Sequence, residues 1–146
     1  MISESNCSFP INASQFLPHK SPMLMVEQIV SVNDQEKSSV IETTVCPDSL
    51  FLSEENTLYG EALIEIMAQA AAAQHGYNLA KENKHEEKGF IVGIRKFEIT
   101  GEASVNDKLL VSVKLGPEIE SLSVVYGTVT CRSNQIASIE LTVWHG

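Results

Sequence analysis

Glu65 and Gln69 stand one helical turn apart in LYGEALIEIMAQAAAAQHGYNLAK, residues 58–81, with Ile64 and Ile66 flanking the carboxylate. A carboxylate among apolar neighbours is costly unless it is paired or functional. A carboxyl group so placed can act as a general acid or, once ionised, as a base or a holder of water, and an amide at i+4 can orient it. The same spacing fits a plainer arrangement in which Glu61, Glu65 and Gln69 mark the solvated side of the helix. Periodicity leaves both readings open. Four histidines accompany them. His19 lies in Leu17-Pro18-His19-Lys20-Ser21-Pro22, where two prolines restrict the backbone. His75 follows Glu65 by ten residues, about 15 Å along a helix, so the two cannot share a site in one chain. His85, within ENKHEEK, and His145, at the end of the last strand, read as surface residues. Cys7, Cys46 and Cys131 are odd in number, far apart and without a CxxC pair. That argues against a disulfide framework or a zinc site, and with no histidine nearby in sequence each cysteine reads as a packing residue rather than a nucleophile. No metal and no cofactor are expected.

The element that must carry Glu65 is the helix. Strong helix formers fill 58–81, Ala62, Leu63, Ile66, Met67 and Ala70 recur at helical spacing, no proline interrupts, and seven alanines keep the rod thin enough for close approach. Ahead of it, Met23 to Val32 and Lys37 to Cys46 are apolar and β-branched runs around the turn signal Asn33-Asp34-Gln35, which predicts a hairpin. Behind it come four further β-type runs, 89–100, 108–115, 120–132 and 135–144, separated by Asn106-Asp107, Gly116-Pro117 and Ser133-Asn134. Turn chemistry at such short intervals predicts an antiparallel meander. In the last run Ala137, Ile139, Leu141 and Val143 alternate with Ser138, Glu140 and Thr142, the mark of a sheet with one dry face. The layout is α+β, about six strands with the long helix inserted after the second.

With 146 residues, 43% of them hydrophobic, the chain is the size of one domain, 1–146, in which residues 1–16 read as an irregular arm or a short helix ending near Phe16. Net charge is −9 and the isoelectric point about 4.8, so a phosphate backbone is repelled and nucleic acid is not an expected partner. Neither a signal peptide nor a membrane span is read, and a reducing cytoplasm is the default location.

LPHKSPMLMVEQIVSV, residues 17–32, resembles the LPHRxPxLLVDRV segment of the 3-hydroxyacyl-acyl carrier protein dehydratases of the FabZ/FabA type. Residues 59–69, YGEALIEIMAQ, are similar to that family's PGVLxxEAMAQ helix start without a gap, and SVNDKL at 104–109 is a weaker echo of its PVxPGDxL turn. The resemblance implies a hotdog fold, an antiparallel sheet wrapped around one long central helix, and a site at a dimer interface. In the family the helix carboxylate works with the histidine of a GHFP motif fourteen residues earlier. Counting back from Glu65 reaches Phe51, in SLFLSEENTLYG, and no histidine is there. In this departure the chain resembles the divergent ApeP-type proteins associated with aryl polyene pathways.

Removing water from a 3-hydroxyacyl thioester needs a base for the α-proton, stabilisation of the enolate-like oxygen, and an acid for the departing hydroxyl. The resemblance implies Glu65 as a catalytic carboxyl, a general acid or, when ionised, a base or holder of water, with Gly60, Glu61, Gln69 and Phe51 around the substrate; free N–H groups of the helix start near Gly60 and Glu61 can face the developing charge. His19 is the substitute base on sequence, although a backbone-bonded structural role competes. The expected substrate is an acyl carrier protein or coenzyme A thioester, with Lys20, Lys88, Arg95 and Lys96 as the docking cations. The expected assembly is a homodimer, or a heterodimer with another hotdog protein. A non-catalytic partner subunit, an acyl-binding scaffold and an acyl thioesterase are the alternatives.

Overall fold

The computed structural model describes residues 9–18, 20, 23–83 and 89–145, without the side chains of residues 89, 90 and 145. The elements are β1 (Ile11–Asn12), a 3-10 turn (Ala13–Phe16), β2 (Gln28–Asn33), β3 (Ser38–Thr44), α1 (Gly60–Lys81), β4 (Gly89–Ile99), β5 (Lys108–Ile119), β6 (Leu122–Cys131) and β7 (Asn134–His145). All seven strands form one antiparallel sheet in the order β1-β2-β3-β5-β6-β7-β4. The long helix packs on β5, β6 and β7 and on the 3-10 turn. Among the described residues no helix is long and apolar enough to cross a membrane.

The expected α+β layout with one long helix against an antiparallel sheet is what forms, with one strand more than expected. The extra strand is β1, in the arm read as irregular; Ile11 pairs with Ile29 and Asn12 with Gln28. The 3-10 turn ends at Phe16, with Asn12 Oδ1 accepting from Ser14 N at its start. The first strand of the hairpin begins at Gln28 rather than Met23, because the backbone at residues 23–25 bonds to Lys20 O and to the side chains of Gln69 and Thr43 instead of a neighbouring strand. The helix begins at Gly60, since Leu58 N donates to Ala103 O and Tyr59 N to Phe51 O.

Gly116-Pro117 does not turn the chain. It lies inside β5, at a register shift between Leu115 and Glu118, and the reversal comes three residues later at Glu120, whose φ is 56°. A bulge absorbs the missing proline N–H, so the dipeptide bends the strand without ending it.

The helix is buried along Ala62, Leu63, Ile66, Met67, Ala70 and Ala73. On the sheet Leu109, Val111 and Val113 of β5 and Ala137, Ile139 and Leu141 of β7 face it, as the alternation predicts. Gly127 of β6 admits this contact: a Cβ there would meet Met67 Sδ at 3.2 Å and Met67 Cβ at 3.4 Å. Each fully buried large aliphatic side chain contributes about 1.5–3 kcal/mol.

The core also encloses a polar pair. Ser39 Oγ donates to Gln74 Oε1 at 2.9 Å, while buried Gln74 Nε2 has no partner among the described residues. Gln74→Met alone is expected to cost about 1–3 kcal/mol, because it leaves the Ser39 hydroxyl buried without its acceptor. The double change Ser39→Ala with Gln74→Met should recover parental stability or exceed it. Urea unfolding of the three proteins checks this.

Candidate functional site

Gln69 is the hub of the site. It is 1% exposed; its Oε1 accepts from Met25 N at 2.7 Å, and its Nε2 donates to Met23 O at 2.8 Å and to Glu65 Oε1 at 3.0 Å. The two backbone partners dictate which end of the amide is oxygen and which nitrogen, since an N–H needs an acceptor and a carbonyl a donor. The second amide N–H is thereby aimed at the Glu65 carboxylate. Thr43 Oγ1 donates to Met25 O at 2.8 Å, so Met25 is held at both its N–H and its carbonyl. Lys20 O accepts from Met23 N at 2.8 Å and from Leu24 N at 3.0 Å, which tightens the approach to this clamp.

Glu65 is half-buried, neither enclosed by the core nor fully solvated. Glu61, one turn before it, is exposed in the first turn of the helix. Tyr59 caps the helix without a side-chain hydrogen bond, so no capping side chain takes up the first-turn N–H groups, which carry the positive end of the helix dipole. Gly60 faces β4: a Cβ there would lie 2.5 Å from Ile99 Cδ1. The close neighbour of Gly60 is therefore the tip of Ile99.

Phe51 is half-buried against the core. Its carbonyl accepts from Tyr59 N at 2.9 Å and its N–H donates to Ser49 Oγ at 3.2 Å. Leu52 bridges Leu58, and Ser53 N donates to Thr57 O at 2.7 Å, so this segment folds back on itself directly before the helix. That loop is propped by residues 103–107, directly before β5. Thr57 bridges Ser104, and Asp107 Oδ2 accepts from Ser104 N at 2.8 Å and from Arg132 Nη2 at 3.0 Å. Cys131 Sγ lies 3.5 Å from the same oxygen. Burial, together with the Asp107 carboxylate, pushes the Cys131 thiol up, which makes it a poor nucleophile.

The structure thus bonds Gln69 to Glu65 on one turn of α1, and joins the helix start before Gly60 and Glu61 to the loop carrying Phe51 through Tyr59 N. His19, His85 and Lys88 lie outside the described residues, as does the side chain of His145. His75 is half-buried farther along α1. Among the described residues no three His, Cys, Asp or Glu side chains are grouped to hold a metal ion. Sequence reasoning missed Thr43 and the Met23–Met25 backbone. Gln69 read as a partner for Glu65, whereas most of its bonding capacity goes to the leading segment, and only the two prolines of that segment hinted at a fixed path.

Likeness to known proteins follows the same outline. Two 3-hydroxyacyl-[acyl-carrier-protein] dehydratases named FabZ are 24% identical to the chain. That of Shewanella woodyi matches over 129 residues, 86% of this chain and 84% of its own. That of Caldicellulosiruptor saccharolyticus matches over 135 residues, 86% of this chain and 94% of its own. Among solved structures, the dehydratase heterocomplex ApeI:P from Xenorhabdus doucetiae superposes with a TM-score of 0.84 at 23% identity, covering 93% of this chain and 91% of that one. A hypothetical thioesterase from Streptococcus pneumoniae with coenzyme A superposes at 0.63 and 12% identity, over 81% and 84% of the chains. These structural likenesses establish the hotdog fold. The sequence model of the ApeP-like family, described as ApeP dehydratase, matches residues 11–146, and the chain belongs to the ApeP-like dehydratase family.

Proposed function

We propose that this chain takes part in the β-elimination of water from a 3-hydroxyacyl thioester presented by an acyl carrier protein or coenzyme A, with Glu65 as the acid. The observation that carries this reading is the locked amide of Gln69, which aims one N–H at Glu65 beside an uncapped helix start. In the proposed step the thioester carbonyl lies toward the first-turn N–H groups and an imidazole removes the α-proton. The C–O bond to the 3-hydroxyl breaks as Glu65 protonates the oxygen, yielding a 2-enoyl thioester and water. The proton on the base then returns to Glu65 through water, and the site is reset.

Phe51 stands where the resemblance places a histidine, so the base comes from elsewhere. His19 is the candidate within the chain, because its neighbour Lys20 anchors the turn that Gln69 clamps. A second hotdog subunit that brings its own histidine is the competing source. Product formation from a 3-hydroxyacyl thioester, measured with the chain alone and with a hotdog protein encoded beside it, separates the two. Turnover by the chain alone that survives His19→Ala would remove His19 as the base. A chain inactive alone and with every partner leaves the scaffold reading.

The partner we propose is another hotdog protomer, the same chain or a related one, seated along β4. That strand ends the sheet, and Ile91, Val92 and Ile94 are exposed on it. A long apolar edge is a pairing surface unless it is covered. Light scattering is expected to give twice the 16.0 kDa of the chain for the protein alone, or the sum of two chains with a partner, and Ile94→Glu should shift the mass toward the monomer. Carrier docking would fall on Arg95 and Lys96, exposed beside Glu140 at 3.6 and 4.0 Å. Charge reversal at both is expected to weaken binding of an acidic carrier protein, most clearly at low salt, in a titration followed by calorimetry.

A further inference from the structure

Thr43 of β3 is 4% exposed and stands in an apolar row. Ile41 before it and Val45 after it, on the same face, are buried in the core. Valine has the shape of threonine and is branched in the same way, so what the hydroxyl adds at this position is one bond, donated to Met25 O at 2.8 Å.

That bond takes the place of a rung in the sheet. Backbone pairing of β2 with β3 runs out at Gln28 and Glu42, with a last bond from Glu27 N to Glu42 O at 3.2 Å. Beyond it side chains carry the contact: Thr44 N donates to Glu27 Oε1, and Thr43 Oγ1 to Met25 O. The chain before Glu27 thereby leaves the sheet for the helix, where Gln69 Oε1 accepts from Met25 N at 2.7 Å. Met25 is gripped from β3 at its carbonyl and from α1 at its N–H, and the two bonds together set its backbone orientation.

Gln69 answers to that orientation. A carboxamide is planar, so with Oε1 fixed on Met25 N and one Nε2 hydrogen on Met23 O at 2.8 Å, the other points at Glu65 Oε1, 3.0 Å away. A tilt of Met25 turns the amide, and with it the N–H that Glu65 receives.

We propose that Thr43 is a positioning residue for Glu65, acting through Met25 and Gln69 and touching no reacting atom itself. This rests on the reading of Glu65 as the acid, which it extends from the helix to a strand across the leading segment. A group misplaced by about 1 Å can cost about 10²-fold in rate, and a relay through two residues passes on part of such a shift.

Thr43→Val is expected to lower kcat for a 3-hydroxyacyl thioester about tenfold, in the chain alone or in its complex with a hotdog partner, whichever turns over. KM for a short substrate should move by no more than about twofold. Thr43→Ser keeps the hydroxyl and should return kcat to within about twofold of the parent. In a Glu65→Gln background Thr43→Val should lower kcat no further, since the group it orients is gone, whereas a general loss of packing would slow both backgrounds alike. A second measurement needs no turnover. The nuclear magnetic resonance signal of the Gln69 side-chain amide, identified by its loss in Gln69→Leu, should move in Thr43→Val and stay in Thr43→Ser. Thr43→Ala gives the same comparison should circular dichroism show Thr43→Val unfolded. Parental kcat in folded Thr43→Val, Thr43→Ser as slow as Thr43→Val, an equal loss in the Glu65→Gln background, or an amide signal that stays in place overturns the proposal. A shifted amide signal in a protein inactive on every 3-hydroxyacyl thioester keeps the relay and removes the dehydration reading.

Discussion

Glu65→Gln is expected to lower turnover of a 3-hydroxyacyl thioester by about 10² or more, the usual share of general acid catalysis, with the fold intact. The substitution keeps size and shape, and the new amide oxygen can still accept the Gln69 Nε2 hydrogen bond that the carboxylate accepts at 3.0 Å. What it removes is the exchangeable proton that the departing hydroxyl needs. If Glu65 were no more than a solvated helix residue, the same change would move stability by about 0.5 kcal/mol at most and leave turnover alone. Enoyl thioester formation and urea unfolding, measured on the same preparations, separate the two cases. Unchanged turnover in an active parent ends the assignment of Glu65 as the acid.

Gln69→Leu is expected to damage both stability and activity, for a different reason. Leucine has the volume for the site but none of the hydrogen bonds, so Met25 N and Met23 O lose the partners they have at 2.7 and 2.8 Å. A backbone group left without a partner costs about 1–3 kcal/mol when buried and less where water reaches it, as at the half-exposed Met23, which puts the expected loss at roughly 1–4 kcal/mol. The leading segment then loses its anchor on the helix, and Glu65 loses the N–H that orients it. Below its unfolding transition the variant should still show a kcat well under that of the parent, whereas KM for a short substrate changes little. A kcat equal to the parent's in the folded variant would make Gln69 a brace of the fold and nothing more.

Much of this protein could be read from local pattern. The helix over 58–81 was visible because good helix formers, with no proline anywhere and no glycine between Glu61 and His75, leave few alternatives. The meander after it was visible because alternating runs with turn residues between them bury a face only as a sheet. Glu65 and Gln69 were visible as an unusual pair, since a carboxylate and an amide at i and i+4 in an apolar helix invite an explanation. Composition and charge set the chain apart from nucleic-acid binders.

What the sequence by itself determined was therefore the set of elements and the residue types able to do chemistry. Only the tertiary structure decided how they meet. A side-chain amide can bond to any backbone that reaches it. Nothing within residues 58–81 says that Gln69 takes Met23 O and Met25 N, residues more than forty positions away. The same holds for Asp107, whose carboxylate takes Arg132 Nη2 from the far end of β6, and for Gly116-Pro117, where strong turn residues yielded to the pairing of β5 with β6. In each case long-range hydrogen bonding outweighed a local preference worth about 1 kcal/mol.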